Sequence, residues 1–308
     1  MKFVVGFLLA FLSIFIGSPL IALLMGSLLV IVFKFPNNYI EKSVATNLLQ
    51  AGIILIGFTI SASTALEITY KYFPYVSIFV LIIFFVGLLL ANLFKIEKKL
   101  GILLASGTAI CGATAMAAIS PLIKSKPKDL YVALAIIFIF NAFAIGILPL
   151  VGIKLGMSSE SFGAWSSMAV HDTSSVIGTA IAFGGSALET ATTLKLSRTI
   201  WLIPLIIILG TFYPNKSRAK FPIFISLFIT AIAIGSFLNF SQETINLIDI
   251  TSRIFLISAL FCIGTQISFE TIKEINTKTF IYALSLWLVA LIFSFLIINL
   301  FLSLIHIS

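Results

Sequence analysis

"AVHDTSSVIGTA" (169–180) sets a histidine, an aspartate, two threonines and two serines inside a chain whose flanking stretches are mostly Ile, Leu, Phe and Ala. What surrounds this stretch decides how it is read. The 308 residues are 60% hydrophobic and 10% charged, with a mean hydropathy of +1.19. Apolar runs of roughly 18 to 25 residues recur along the whole length, the signature of membrane-spanning helices. Transmembrane strands would alternate in polarity, and "LLLANLF" (88–94) and "IAIGSFL" (232–238) do not. The fold class predicted is therefore an all-α polytopic membrane protein, a single transmembrane domain over 1–308.

Nine apolar spans are predicted at 3–17, 19–34, 44–62, 73–94, 128–151, 190–212, 221–238, 250–268 and 279–304. Two further segments, 99–124 and 161–184, are apolar on average but broken by polar clusters, "GTAICGAT" (107–114) and "HDTSSVIGT" (171–179). If both turn back inside the membrane, the basic residues sort 14 to 5, accounting for all 19. Lys2, Lys34, Lys42, Lys95, Lys98, Lys99, Lys124, Lys126, Lys128, Lys216, Arg218, Lys220, Lys273 and Lys278 then lie inside, which places the N-terminus in the cytoplasm. If both cross completely, for eleven spans, the split falls to 12 against 7 of the 19. Re-entry is the favoured expectation. The run after Lys2 reads as span one rather than a cleaved leader, because Phe15 stands where a small residue is needed.

An internal repeat runs at a fixed offset, with copies around 50–94 and 257–301. "IGFTIS" (56–61) matches "IGTQIS" (263–268), Glu67 matches Glu274, Tyr75 matches Tyr282, and "NLF" recurs at 92–94 and 299–301. An odd number of crossings separates the copies, so they enter the membrane in opposite senses, the inverted repeat of secondary transporters.

A helix broken at membrane depth is tolerated only where it is buried in protein or lines a wet cavity. Thr108, Gly112 and Thr114 break the first segment, with Cys111 among them as a buried thiol at no metal or redox spacing. In the second, His171, Asp172, Thr173, Ser174 and Ser175 are contiguous. Broken helices expose N-terminal N–H groups of partial positive charge, and neighbouring hydroxyls add donors, so the two turns together suit an anion. The plain structural reading is that small and hydroxylated residues only let helices pack closely.

Asp172 costs about 2.5 to 3.5 kcal/mol at a helix centre, so it needs a partner, water or a proton. Helix capping, proton carriage and cation coordination all remain open for it, and His171 is the chain's only deep histidine, His306 being in the tail. Lys195 and Arg198 share a helical face and call for a carboxylate, Asp172 or Glu189, or a bound anion; snorkelling of Lys195 is the bland alternative. Asn141 can contact solute or join two helices. HExxH, GxSxG, phosphate-loop and clustered metal-ligand patterns are missing, and adjacent residues on one helix point about 100° apart, which argues against a Ser174–His171–Asp172 hydrolase. Neither cofactor nor metal is expected. The net charge of +8 is assigned to topology, not nucleic acid.

"GTAICGATAMAA" (107–118), "FNAFAIGILPLVG" (140–152), "AVHDTSSVIGTA" (169–180) and "LKLSRTIWLIPL" (194–205) together resemble, in order and over nearly the full chain, the YeiH-type family of bacterial inner-membrane proteins labelled as sulfate exporters. Where that pattern often carries Ser, this chain has Ala109, one hydroxyl fewer in the expected pocket. The family is distantly similar to the bile acid, citrate and sodium/proton antiporter group. The resemblance implies an elevator-like transporter, a core with discontinuous helices sliding on a scaffold that often dimerises, so a homodimer enters among the expected partners. The function expected is secondary transport of a small anion, sulfate or sulfonate-like, coupled to H⁺ or Na⁺. Thr108, Cys111, Gly112, Thr114, Asn141, His171, Thr173, Ser174, Ser175 and Arg198 would bind solute, and Asp172, His171 and Lys195 would serve coupling. A cation/proton antiporter using Asp172 is the rival.

Overall fold

The structure, a computed structural model, describes residues 2–32, 40–213, 223–238, 240–266, 273 and 275–305. Expectations that touch Lys34, Lys216, Arg218, Lys220, Glu274, His306, the last residues of "IGTQIS" and the span ends at 33–34 and 221–222 lie outside the described residues. All regular structure among the described residues is helical. Before the first interrupted segment come α1 (Lys2–Ile16), α2 (Pro19–Ile31), α3 (Lys42–Thr59) and α4 (Ala62–Leu93). α5 (Lys98–Ala109), α6 (Ala113–Ile123), α7 (Pro127–Lys154), α8 (Ser159–Ala169) and α9 (Thr173–Phe183) form the middle of the chain. α10 (Ala187–Thr199), α11 (Leu202–Phe212), α12 (Ile223–Leu238), α13 (Gln242–Gly264) and α14 (Thr277–Ile305) complete it.

Among the described residues, α4, α7, α13, α14 and the run 187–212 through α10 and α11 are long and apolar enough to cross a bilayer. The first predicted span comes out at its expected length, shifted by one residue, and α2 starts as predicted but ends at Ile31; both helices are short for a bilayer. α1 and α2 have 15 and 13 residues, about 22 and 20 Å at 1.5 Å per residue against a hydrocarbon core of about 30 Å. They part at Gly17–Ser18, where Ser18 caps α2 by accepting from the Ile21 amide and Pro19 starts the helix with no N–H to satisfy. α4 begins eleven residues before the predicted start at 73, because Ser61 caps the Thr64 amide and the chain stays helical through Pro74.

Both interrupted segments are hairpins whose ends meet. Lys99 Nζ donates to the Lys124 carbonyl at 2.7 Å, although an unbroken helix would hold these positions about 37 Å apart. The mouth of α5–α6 is thus closed on the side where it opened, with Lys124 in the left-handed region (φ 51°) ending α6. In α8–α9, the Phe162 and Phe183 rings stack at 3.9 Å, and a Cβ on Gly185 would come within 2.3 Å of Ser159 Oγ. Since α7 runs from the mouth of the first hairpin to that of the second, the two enter from opposite faces.

α12 packs against α3, and α13 packs against α2 and against α3, to whose Gly52 carbonyl Ser252 Oγ of α13 donates at 2.9 Å. α4, α7, α10 and α14 wrap the hairpins. Tyr282 OH on α14 donates to Gly87 O on α4 at 3.0 Å, and Trp287 Nε1 donates to Ala169 O at the end of α8 at 3.0 Å. Contacts between these two groups of helices are much sparser than those within them.

Candidate functional site

The hairpin tips touch. Gly112 takes a backbone that L-residues rarely adopt (φ 53°), and a Cβ there would lie 2.9 Å from Asp172 Cβ and 3.0 Å from its backbone N. Four half-helix ends therefore converge: the C-termini of α5 and α8 and the N-termini of α6 and α9. Each end leaves backbone groups that no helix partner satisfies, carbonyls at one and amides at the other.

The carbonyl ends are served by α10. Arg198 is fully buried (0% exposed). Its Nε donates to Ala109 O at 2.8 Å, its Nη1 to Ser167 O at 2.7 Å and Met168 O at 2.8 Å, and its Nη2 to Thr108 O. Lys195, also 0% exposed, donates to Val170 O at 2.8 Å and Ser167 O at 3.5 Å. The partner expected for this pair was a carboxylate or a bound anion; the structure supplies carbonyls instead, at the negative ends of two helix dipoles. Arg198 also sits over the Phe79 ring, 4.9 Å from its centroid, a cation–π contact.

The amide ends carry Asp172. It occupies the cap position of α9 in extended conformation (φ −99°, ψ 160°), yet its carboxylate takes no helix amide. It accepts instead from Asn141 Nδ2 of α7 and from Ser174 Oγ. Asn141 Oδ1 in turn accepts from the His171 amide at 3.3 Å. Asn141 thus joins α7 to the second tip, and through Asp172 it also borders the site.

A cavity of about 810 Å³ reaches the amide ends from the face where Lys99 and Lys124 meet. Thr114, Asp172, Thr173 and Ser174 form its inner end, and Thr46, Gln50 and Gln266 of α3 and the end of α13 face them. The structure thus brings four of the expected residues to one wall. Thr108, Cys111 and Ser175 are buried behind the tips (4%, 1% and 3% exposed), and neither they nor Arg198 and Lys195 line the cavity. His171 turns away toward α14, its ring 6.1 Å from both Phe140 and Trp287, with no hydrogen-bond partner on Nδ1. Gln50 and Gln266 were missed because each falls within a predicted apolar span, Gln50 three residues after Asn47 and Gln266 within the repeat; their one signal is their polarity.

Opposite half-helix ends cancel in pairs. What remains is formally two cations, Lys195 and Arg198, against one carboxylate, Asp172.

The fold and site define an all-α membrane protein built around two opposed re-entrant hairpins. Residues 3–283 match the family model described as conserved hypothetical protein 698. A UPF0324 membrane protein of Vibrio vulnificus is 35% identical over 92% of each chain. One from Vibrio parahaemolyticus is 36% identical over 91% of this chain and 92% of its own, and one from Bacteroides thetaiotaomicron is 33% identical over 88% and 83%. The chain belongs to this UPF0324 family of membrane proteins. No solved structure matches it.

Proposed function

We propose that the protein is a secondary transporter of the bacterial inner membrane that moves a small anion, sulfate or sulfonate-like, with a proton carried by Asp172. One observation carries this reading: two helix N-termini, three hydroxyls and one carboxylate share the inner end of a cavity, at a crossing behind which Lys195 and Arg198 are buried. Protonation of Asp172 removes the single negative charge beside the solute, so proton and anion favour each other's binding, a reciprocal coupling. The sparse boundary between the hairpin group and α2, α3, α12 and α13 is where an elevator-like slide would occur, with the cavity open to the cytoplasm because that face carries the lysine-rich hairpin mouth.

The test is radiolabelled sulfate and methanesulfonate flux in proteoliposomes under an imposed pH gradient. Flux no greater than in protein-free liposomes for both anions rejects the reading. Asp172→Asn is expected to lower gradient-driven accumulation at least about tenfold while anion exchange persists, since the amide keeps the shape and loses the proton. The rival, a cation/proton antiporter, is favoured by the carboxylate on the cavity wall. It predicts a proton flux that responds to added Na⁺ or K⁺, which the anion carrier ignores.

A further inference from the structure

Resting on that reading, the cavity's walls say more about the solute than its inner end does. Most of its polar groups gather at the hairpin tips, with Thr46, Gln50 and Gln266 across from them, and Tyr131 in the second turn of α7 is the one polar side chain that α7 adds on the way out. From Ala113 to Pro121 the cavity follows α6 outward for about 12 Å at 1.5 Å per residue. Along that path α6 presents Ala117, Ala118 and Pro121, while Leu134 and Phe138 of α7 and Phe224 of α12 close the other side. No lysine or arginine is among the described lining residues.

An inorganic oxyanion would exchange its water for hydrocarbon along this path without a charged partner, and such desolvation is costly. A volume of about 810 Å³ falls in the range of roughly 300–1,000 Å³ that serves organic ligands with apolar surface to bury. We infer that the solute is an organic anion with a hydrocarbon body: its anionic head sits at the N-termini of α6 and α9, and its body lies along the α6–α7–α12 wall. The small side chains of α6 make the room, and Leu134, Phe138 and Phe224 make the contact. Sulfate fills only the inner end.

Burial of one methylene contributes about 0.8 kcal/mol, close to a fourfold gain in affinity. The experiment measures binding of sulfate, methanesulfonate, propanesulfonate and butanesulfonate to the purified protein in nanodiscs, by competition and by thermal shift. Butanesulfonate is expected to bind at least about tenfold more tightly than methanesulfonate, a modest share of the full methylene gain, and sulfate least tightly. Leu134→Asn should shrink the butane-to-methane ratio severalfold. Equal affinity across the sulfonates, or sulfate binding as tightly as butanesulfonate, overturns the organic-body inference and leaves anion transport standing. A ratio unmoved by Leu134→Asn and equally by Phe224→Asn places the chain elsewhere and also overturns it. Absence of binding for every anion removes both this inference and the reading beneath it.

Discussion

Arg198 shows how a cation is held in an apolar interior without an acidic partner. Four carbonyls from two chain segments, about 30 and 90 residues distant, take its N–H groups. The planar fork suits this, since it directs donors to both hairpins at once, which a lysine's compact ammonium does not. Arg198→Gln is expected to destabilise the protein by roughly 3 to 5 kcal/mol, the cost of leaving buried partners unmet. In detergent this would appear as a fall in Tm of roughly 6 °C or more, and Arg198→Lys should recover only part of it. An unchanged Tm for Arg198→Gln would mean that water or another group serves those carbonyls.

At the scale of the element, the hairpin is the unit that makes the site. Gly112 holds a positive φ and lies against Asp172 with no space for a methyl group. Gly112→Ala must therefore both strain the α5–α6 turn and push the tips apart, which costs about 1–3 kcal/mol at the backbone alone. Expected outcomes are a lower Tm and anion flux reduced at least about tenfold, checked in the same liposome assay; wild-type flux would show that the tips need not touch. The breaks were legible in their neighbourhood: the first falls at 110–112, within the Gly- and Thr-rich stretch 107–114, and the second at 170–172, at the His171–Asp172 edge of its polar cluster. The clamp was not. Its acceptors are backbone oxygens, which every residue has, so no side-chain pattern marks them. Asp172, Thr114, Thr173 and Ser174 stood out because polar side chains are costly in hydrocarbon, whereas Gln50 was read only as part of an apolar span and Gln266 only as part of the repeat.

For the whole molecule, the hairpin mouths predict which surfaces share a side of the membrane. Lys126 and Ser186 are both exposed, one beside each mouth, and the native Cys111 and Cys262 are buried. A membrane-impermeant maleimide applied to vesicles of one orientation should label either Lys126→Cys or Ser186→Cys, and the other only after the membrane is opened. Labelling of both from one side would contradict opposed entry. The all-helical membrane architecture and the division of the first apolar stretch at Gly17–Ser18 were readable from the sequence, but the end of α2 at Ile31 was not, because apolar residues continue past it.

The clamp at the crossing is made to main-chain oxygens rather than to side chains. Side chains at positions 108, 109, 167 and 168 can therefore be exchanged for others of similar bulk without disturbing what fastens the two tips to α10. A framework of that kind is forgiving to redesign: its side chains can drift, by selection or in the laboratory, while the joint that keeps it assembled is inherited intact.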